Sequence, residues 1–258
     1  MTSYNFDRIS DKYDATRGLP GHVAEHLCRW VRSRLPADPA ITEIGVGTGR
    51  IALPFIRADV RFTGLDIAEK MMAQLREKLG GDLNRSRLLL ADITEPLPVA
   101  DGSQDAVIAV HILHLVDAVK ALTQVHKALK PHGALIWGYQ WHDGESPRRR
   151  IRARFQEEAQ ALGGPPPRDF LVQPARLLLA ELGAQVSQHT VATWTEQETP
   201  AEALARQTGK VMSSTWSLPD DIVAEAGRRT EAWLRQEYPD SDQPYEVAER
   251  FIIDWYQF

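Results

Sequence analysis

The stretch EIGVGTGR, residues 43–50, places glycine at three alternate positions. A short apolar segment precedes it at 40–42, and a longer apolar segment follows it at 51–56. Because glycine has no Cβ, a glycine-rich turn between a strand and a helix lets a ligand lie directly against the main chain. The first N–H groups of the following helix have no partner within that helix and face the same crevice. The stretch therefore predicts a strand–turn–helix unit of an α/β fold with a binding site at the turn.

Strand and helix patterns alternate along the first half of the chain. Nearly continuous apolar runs, typical of strands covered on both faces, predict strands at residues 41–44, 60–65, 87–91, 106–110 and 134–139. Helical spacing of apolar residues predicts helices at 21–35, 68–79 and 117–129, and a further helix that begins near Arg50. Residues 130–133, which read Lys-Pro-His-Gly, are expected to close the last of these helices. This alternation predicts an α/β protein with a doubly wound, mostly parallel sheet.

The pattern is less regular after Trp141. We predict helices at 147–162, 174–182, 200–208 and 219–238, and strands at 185–194 and 245–258. We expect a single domain, residues 1–258. The segments expected to form a lid over the carboxyl ends of the strands are 1–20, 143–173 and 195–243.

Composition narrows the class of protein. The chain has 258 residues, of which 43% are hydrophobic, enough for one sizeable core. The only cysteine, Cys28, excludes a disulfide within the chain, and the net charge of −5 argues against a broad nucleic-acid surface. No apolar run approaches the ~20 residues that span a bilayer, and no apolar signal segment begins the chain. We expect a cytoplasmic protein without a membrane partner, and composition leaves its oligomeric state open.

Three polar residues follow the second, third and fourth predicted strands: Asp66, Asp92 and His111. The carboxyl ends of parallel strands share one edge of the sheet, so these side chains should lie near the glycines. A carboxylate at Asp66 would accept hydrogen bonds from ribose hydroxyls, or else cap the next helix. A carboxylate at Asp92 would accept from an adenine amino group, with the N–H of Ile93 donating to a ring nitrogen, or else belong to a turn.

The ordered segments EIGVGTGR, LDIAEKMM, LLLADITEPLPVADGSQDAVIAVHILHLV and LKPHGALIWG resemble the class I S-adenosylmethionine-dependent methyltransferases, in particular the small-molecule branch called type 11. The resemblance covers about residues 10–142. It implies a Rossmann-like sheet of seven strands, in which residues 245–258 form an antiparallel strand between the fifth strand and residues 185–194. It also implies S-adenosylmethionine as cofactor, S-adenosylhomocysteine as product and a small-molecule acceptor. Arg50 stands where a dinucleotide fingerprint has its third glycine, which disfavours a nicotinamide dehydrogenase.

The resemblance also assigns roles to individual residues. It places Glu43, Gly45 and Gly47 around the amino acid part of the cofactor, and it places Arg17 on the cofactor carboxylate through charge-assisted hydrogen bonds. Helix packing and surface solvation are the alternatives for Tyr13 and Arg17. The full set of cofactor residues that it implies is Tyr13, Arg17, Glu43, Gly45, Gly47, Gly49, Asp66, Ile67, Asp92, Ile93 and His111.

Histidines supply the candidate catalytic bases, since an unperturbed imidazole suits proton transfer near neutral pH. The candidates are His111, His114 and His142. The alternatives are a cofactor contact for His111, packing in a turn for His114 and a plain loop role for His142. No histidine or cysteine spacing indicates a metal site.

One basic run, PRRRIRARF at residues 147–155, could bind a phosphate-bearing substrate or RNA, or it could form a solvated helix face balanced by Glu157 and Glu158. We favour the solvated face. The sequence therefore predicts a small-molecule methyltransferase that works by in-line displacement. The two alternatives are a non-catalytic S-adenosylmethionine-binding regulatory module and an RNA methyltransferase.

Overall fold

The computed structural model describes residues 19–142, 144–166 and 172–258, with the side chains of His142 and Ser213 left undescribed. The predicted cofactor residues Tyr13 and Arg17 lie outside these ranges. The helices are α1 (Gly21–Arg32), α2 (Ala52–Arg57), α3 (Glu69–Lys78), α4 (Ala118–Ala128), α5 (Pro147–Ala161), α6 (Gln173–Glu181), α7 (Pro200–Thr208) and α8 (Asp220–Glu237). The strands are β1 (Ala40–Ile44), β2 (Arg61–Asp66), β3 (Arg87–Leu90), β4 (Gln104–Val110), β5 (Leu129–His142), β6 (Gln185–Glu198) and β7 (Tyr245–Gln257).

The strands form one seven-stranded sheet in the order β3-β2-β1-β4-β5-β7-β6. The pairs β1–β2, β1–β4, β2–β3 and β4–β5 are parallel. The predicted mostly parallel sheet is confirmed, as is the insertion of the last strand between the fifth and the sixth. Because the chain returns to the middle of the sheet between β3 and β4, the strand order reverses beside β1. A crevice opens at such a reversal, at the carboxyl ends of the strands.

The core of the sheet is formed by strands that are apolar on both faces. All seven residues of β4 are buried, as are Ile41 and Ile44 of the neighbouring β1 and Leu65 of β2, the next strand along. Helix α4 covers this part of the sheet with Leu122 and neighbouring apolar residues of the same cluster. Since burial of each large aliphatic side chain contributes roughly 1.5–3 kcal/mol, these central strands hold their ends in place.

The start of β5 differs from the prediction. Helix α4 ends at Ala128, one residue before its predicted end, but β5 begins at Leu129, so the predicted start of this strand at residue 134 is wrong. Leu129 is paired with Gln104 and Ala134 with Ala106, so the register shifts between them. Proline and glycine signal a turn when read locally. Here they fall at an irregularity of the strand, where the missing N–H of proline breaks no regular ladder.

The chain divides into two compact units. Among the described residues, the first contains 19–139, 172–192 and 251–258, and the second contains 140–142, 144–166 and 193–250. The second unit has its own apolar cluster, in which Ile151 and Phe155 of α5 pack with residues of α7 and α8. Most of the segments 143–173 and 195–243 fall in this second unit. Their role as a lid stays a prediction.

Arg148 lies inside the second unit and is surrounded by carboxylates. Its Nε lies 2.7 Å from an oxygen of Glu198, its Nη2 lies 3.1 Å from Glu196, and its Nη1 donates to Glu249. The Arg148 side chain is 12% exposed, and those of Glu198 and Glu249 are 2% and 0% exposed. Burial alone would lower the pKa of Arg148, but Glu198, Glu249 and Glu196 raise it above its ordinary value. The solvated face predicted for residues 147–155 is therefore wrong at this position.

Replacing Arg148 by methionine should destabilise the protein by about 3–5 kcal/mol, because it leaves buried carboxylates without their cation. The measurement is urea unfolding followed by circular dichroism. Arg149→Met, at the exposed neighbouring residue, is the matched control and should change the free energy of unfolding by about 0.5 kcal/mol or less. Equal stability of the two variants would contradict a buried ion cluster.

Candidate active site

The crevice at the carboxyl ends of the central strands contains a cavity of about 660 Å³ that is partly open to solvent. Seven of the predicted cofactor residues line it: Gly45, Gly47, Asp66, Ile67, Asp92, Ile93 and His111. Six apolar residues that sequence reasoning missed also line it: Met71, Ala91, Val110, Ile112, Leu115 and Val116. The spacing of Ile112, Leu115 and Val116 just after β4 was a signal that could have found half of them.

Asp66 is the last residue of β2, and two main-chain N–H groups hold its carboxylate. Oδ2 accepts from the N–H of Gly47 at 2.7 Å, and Oδ1 accepts from the N–H of Ala68 at 2.8 Å. Helix α3 begins one residue later and receives no side-chain cap at its N-terminus. The contacts of Asp66 are therefore not those of an ordinary cap of helix α3, which was the alternative interpretation of this residue. The carboxylate instead joins the end of β2 to the glycine loop.

The three glycines of the loop have left-handed backbone conformations, with φ between 53° and 83°. A Cβ on Gly45 would lie 2.7 Å from Ile112, and a Cβ on Gly49 would lie 2.1 Å from Leu75, so packing excludes side chains at both. A Cβ on Gly47 would meet only Met71, at 3.6 Å. Gly47 thus presents bare main chain to the cavity, whereas Gly49 serves the packing of α3 and does not line the cavity.

Asp92 and two isoleucines form another part of the wall. One oxygen of Asp92 accepts from the N–H of Thr94 at 2.9 Å and from its hydroxyl at 2.7 Å. These contacts with Thr94 agree with the alternative interpretation, in which Asp92 belongs to a turn. Asp92 also lines the cavity. Ile67 is 41% exposed although it is apolar, and Ile93 is buried. An apolar surface beside an anchored carboxylate suits a flat ring that carries amino groups.

Among the candidate bases, His111 lines the cavity and His114 does not. His111 directly follows β4 and has a φ of 53°, a left-handed conformation that few non-glycine residues adopt. Such strained backbone is concentrated at functional sites. His142 is the last residue of β5 and belongs to the second unit.

Glu43 lies beneath the glycine loop, in β1. Its side chain is nearly inaccessible, 2% of the residue being exposed, and its Oε2 has no hydrogen-bond partner among the described residues. Burial raises the pKa of the carboxyl well above its ordinary value; nearby Arg50 lowers it, and Asp66 raises it further. Glu43 is not part of the cavity wall.

These features can be tested against S-adenosylmethionine, the cofactor implied by the resemblance. Its ribose needs an acceptor pair, which Asp66 supplies, and its adenine needs apolar walls, which Ile67 and Ile93 supply. Open main chain at Gly47 gives room for the amino acid part. The residues present therefore fit the group.

In the part of the chain that the structure describes, no cluster of His, Cys, Asp and Glu is placed to hold a metal ion. Within the same ranges, no helix is both long enough and apolar enough to cross a membrane.

The fold and this site resemble those expected of Rossmann-like, S-adenosylmethionine-dependent methyltransferases. Comparison with known proteins agrees, because residues 42–137 match the family described as "Methyltransferase domain". The chain resembles this family over those residues.

Three similar proteins illustrate the relationship. A demethylmenaquinone methyltransferase of Clavibacter sepedonicus is 31% identical over 140 residues, which is 53% of this chain and 56% of the relative. An uncharacterized methyltransferase of Mycobacterium tuberculosis is 28% identical over 187 residues, 71% of this chain and 68% of the relative. The crystal structure of the YcgJ protein of Bacillus subtilis superimposes with a TM-score of 0.57 at 16% identity, and covers 92% of this chain and 98% of that one. The chain thus spans little more than half the length of the first relative.

Glu43→Gln should stabilise the protein increasingly as pH rises. Because the native pKa is raised, folded Glu43 keeps a proton that the unfolded chain releases above about pH 4.3, so this contribution is lost with rising pH. Glutamine does not titrate. The gain over wild type should therefore grow, with a slope of at most about 1.4 kcal/mol per pH unit.

Urea unfolding at about pH 5 and about pH 7 measures this difference. Glu157→Gln, at an exposed carboxyl of α5, is the control and should show no such pH dependence. A gain for Glu43→Gln that is the same at both pH values would contradict the raised pKa.

Proposed function

We propose that this chain transfers the methyl group of S-adenosylmethionine to an oxygen, nitrogen or carbon atom of a small molecule. The observation that carries the proposal is the Asp66 carboxylate, held by the N–H groups of Gly47 and Ala68 at the wall of the cavity. Ile67 and His111 line the same cavity. Cofactor binding and methyl transfer would thus share one cavity.

When bound, S-adenosylmethionine supplies a methyl group activated by its sulfonium sulfur. Asp66 accepts hydrogen bonds from the ribose hydroxyls, and its two N–H donors fix the direction in which its oxygens point. Ile67, Ile93 and Ile112 exclude water from the site, which strengthens the polar contacts within it. The main contribution of the protein is alignment, because in-line displacement needs the acceptor atom held opposite the leaving sulfur.

His111 is the histidine that we assign to proton transfer. It lines the cavity, and its strained backbone directs it there from the end of β4. Its imidazole would accept a proton from a hydroxyl or amine acceptor as the new bond to carbon forms. His114 and His142 are not assigned to this step.

Two observations support a small-molecule acceptor over RNA. The Clavibacter relative is named for demethylmenaquinone, a small organic molecule. The basic run 147–155 offers little free charge, since Arg148 is enclosed by glutamates and Arg150 pairs with Glu237. We also infer a cytoplasmic location. The alternative of a non-catalytic cofactor-binding module predicts binding of S-adenosylmethionine without formation of S-adenosylhomocysteine or of any methylated product.

Asp66→Ala should weaken binding of S-adenosylmethionine at least about tenfold, because each hydrogen bond to a charged group contributes about 1.5–3 kcal/mol. Isothermal titration calorimetry measures the affinity of each variant for S-adenosylmethionine. Asp66→Asn, which keeps one acceptor oxygen and a similar size, separates loss of charge from collapse of the glycine loop. Glu157→Ala, on an exposed part of α5, is the control and should bind like wild type. Unchanged affinity of Asp66→Ala would remove the basis of the cofactor assignment.

His111→Asn should lower the rate of methyl transfer by about 10²–10⁴-fold and change cofactor affinity by no more than about twofold. Asparagine tolerates the left-handed backbone, so the substitution removes the imidazole with little added strain. The acceptor is first identified by mass spectrometry of small-molecule mixtures incubated with the enzyme and S-adenosylmethionine. His132→Asn is the matched control, since His132 also has a left-handed φ, 65°, and lies outside the cavity. A wild-type rate for His111→Asn would show that another group, or none, takes the proton.

A further inference from the structure

A second groove lies at the opposite edge of the sheet, where the strands begin. It is open to solvent, has a volume of about 1170 Å³ and is lined by the first residues of β1, β2, β3 and β4. Its polar lining residues include Arg61, Thr63, Arg87 and Gln104. Residues 97–100, Leu-Pro-Val-Ala, form an apolar wall. The site proposed for methyl transfer shares none of these residues.

The strand register places the polar residues on one face. Arg61 and Thr63 are two positions apart in β2, so both side chains lie on the same side of the sheet. Thr63 is paired with Arg87 in the parallel register of β2 and β3, and with Thr42 in that of β1 and β2. Thr42 in turn donates to the side-chain oxygen of Gln104 at 2.9 Å. Thr63 and Arg87 thus lie side by side at the start of neighbouring strands.

Arg87 and Thr63 have hydrogen-bond donors in the groove that the described residues do not fully use. The Arg87 guanidinium forms one long hydrogen bond, 3.4 Å from Nη2 to the hydroxyl oxygen of Thr63, and no ion pair with any described residue. Thr63 is 6% exposed, and its hydroxyl hydrogen has no acceptor among the described side chains and carbonyls. Donors without an acceptor, next to an unbalanced guanidinium, form a site for an oxyanion.

The other charges nearby are already paired. Arg61 and Arg85 both bind Asp38, with Arg61 Nε at 3.2 Å and Arg85 Nη1 at 3.0 Å. Lys130 binds Asp105 at 2.8 Å. Arg61 and Arg85 share the single carboxylate of Asp38, so together with Arg87 they carry more positive charge than that carboxylate balances, and the groove attracts an anion.

We propose that this groove binds a small phosphorylated organic molecule, whose phosphate lies on Arg87 and Thr63. Guanidinium groups match the geometry of phosphate oxygens, and the hydroxyl of Thr63 adds a further donor. The organic part packs against the apolar wall at residues 97–100. This is a ligand site separate from the methyl-transfer site, and it does not depend on the function proposed above.

Calorimetric titration with glycerol 3-phosphate and with inorganic phosphate, at constant ionic strength, tests the proposal on the full chain. Wild type should bind glycerol 3-phosphate saturably and more tightly than inorganic phosphate. Arg87→Gln should weaken that binding about tenfold or more, and Thr63→Val should weaken it by a smaller factor. Arg57→Gln, at an exposed arginine of α2 away from the groove, is the control and should bind like wild type. The thermal unfolding midpoint of each variant verifies that it is folded.

Three results would overturn the proposal. One is the absence of saturable binding to wild type, and another is equal weakening by Arg87→Gln and Arg57→Gln, which would indicate only general charge attraction. The third is equal affinity for glycerol 3-phosphate and inorganic phosphate, which would exclude recognition of an organic ligand. The proposal is supported if the folded Arg87→Gln variant loses binding and the Arg57→Gln variant does not.

Discussion

The hydrogen bond from the N–H of Gly47 to the carboxylate of Asp66, 2.7 Å long, determines the shape of the site. It joins the loop after β1 to the end of β2. The same loop is attached to β2 through the N–H groups of Gly45 and Val46, which donate to the carbonyl of Leu65 at 2.8 and 3.0 Å. Three left-handed residues in five would otherwise leave the loop conformationally free. Because β1 and β2 are buried neighbours, the rigidity of the core is transmitted to the loop.

Glycine is required in this loop because residues that are distant in the sequence pack against it. Ile112, just after β4, occupies the space that a side chain on Gly45 would need, and Leu75 of α3 does the same at Gly49. Gly47 alone of the three leaves its side-chain space to the cavity. A pattern that looks uniform in sequence thus contains two glycines whose side-chain space is filled by packing, Gly45 and Gly49, and one whose side-chain space is open, Gly47. Their division follows from close packing, which leaves no slack for even one methyl group.

Charged side chains are stabilised in different ways according to how deeply they are buried. Buried Arg148 is compensated by three glutamates, whereas buried Glu43 responds by a raised pKa. Asp66, at a strand end, is stabilised by main-chain N–H donors. Arg87, at the other edge of the sheet, is exposed to water and needs no partner in the chain. Each outcome reflects the cost of removing a charge from water, which rises with burial.

The order of strands and helices and the residues at the strand ends follow from local patterns in the chain. Continuous apolar runs and glycine or proline punctuation are local signals, so the helix at 200–208 was predicted to the residue and most boundaries within a few. Asp66, Asp92 and His111 followed from the rule that parallel strands end at one edge. Only the tertiary structure decided that residues 130–133 continue a strand, that Arg148 is buried, and that Ile112 shapes the loop. These outcomes depend on pairing and packing between distant segments, and no local pattern records which distant segment will be the neighbour.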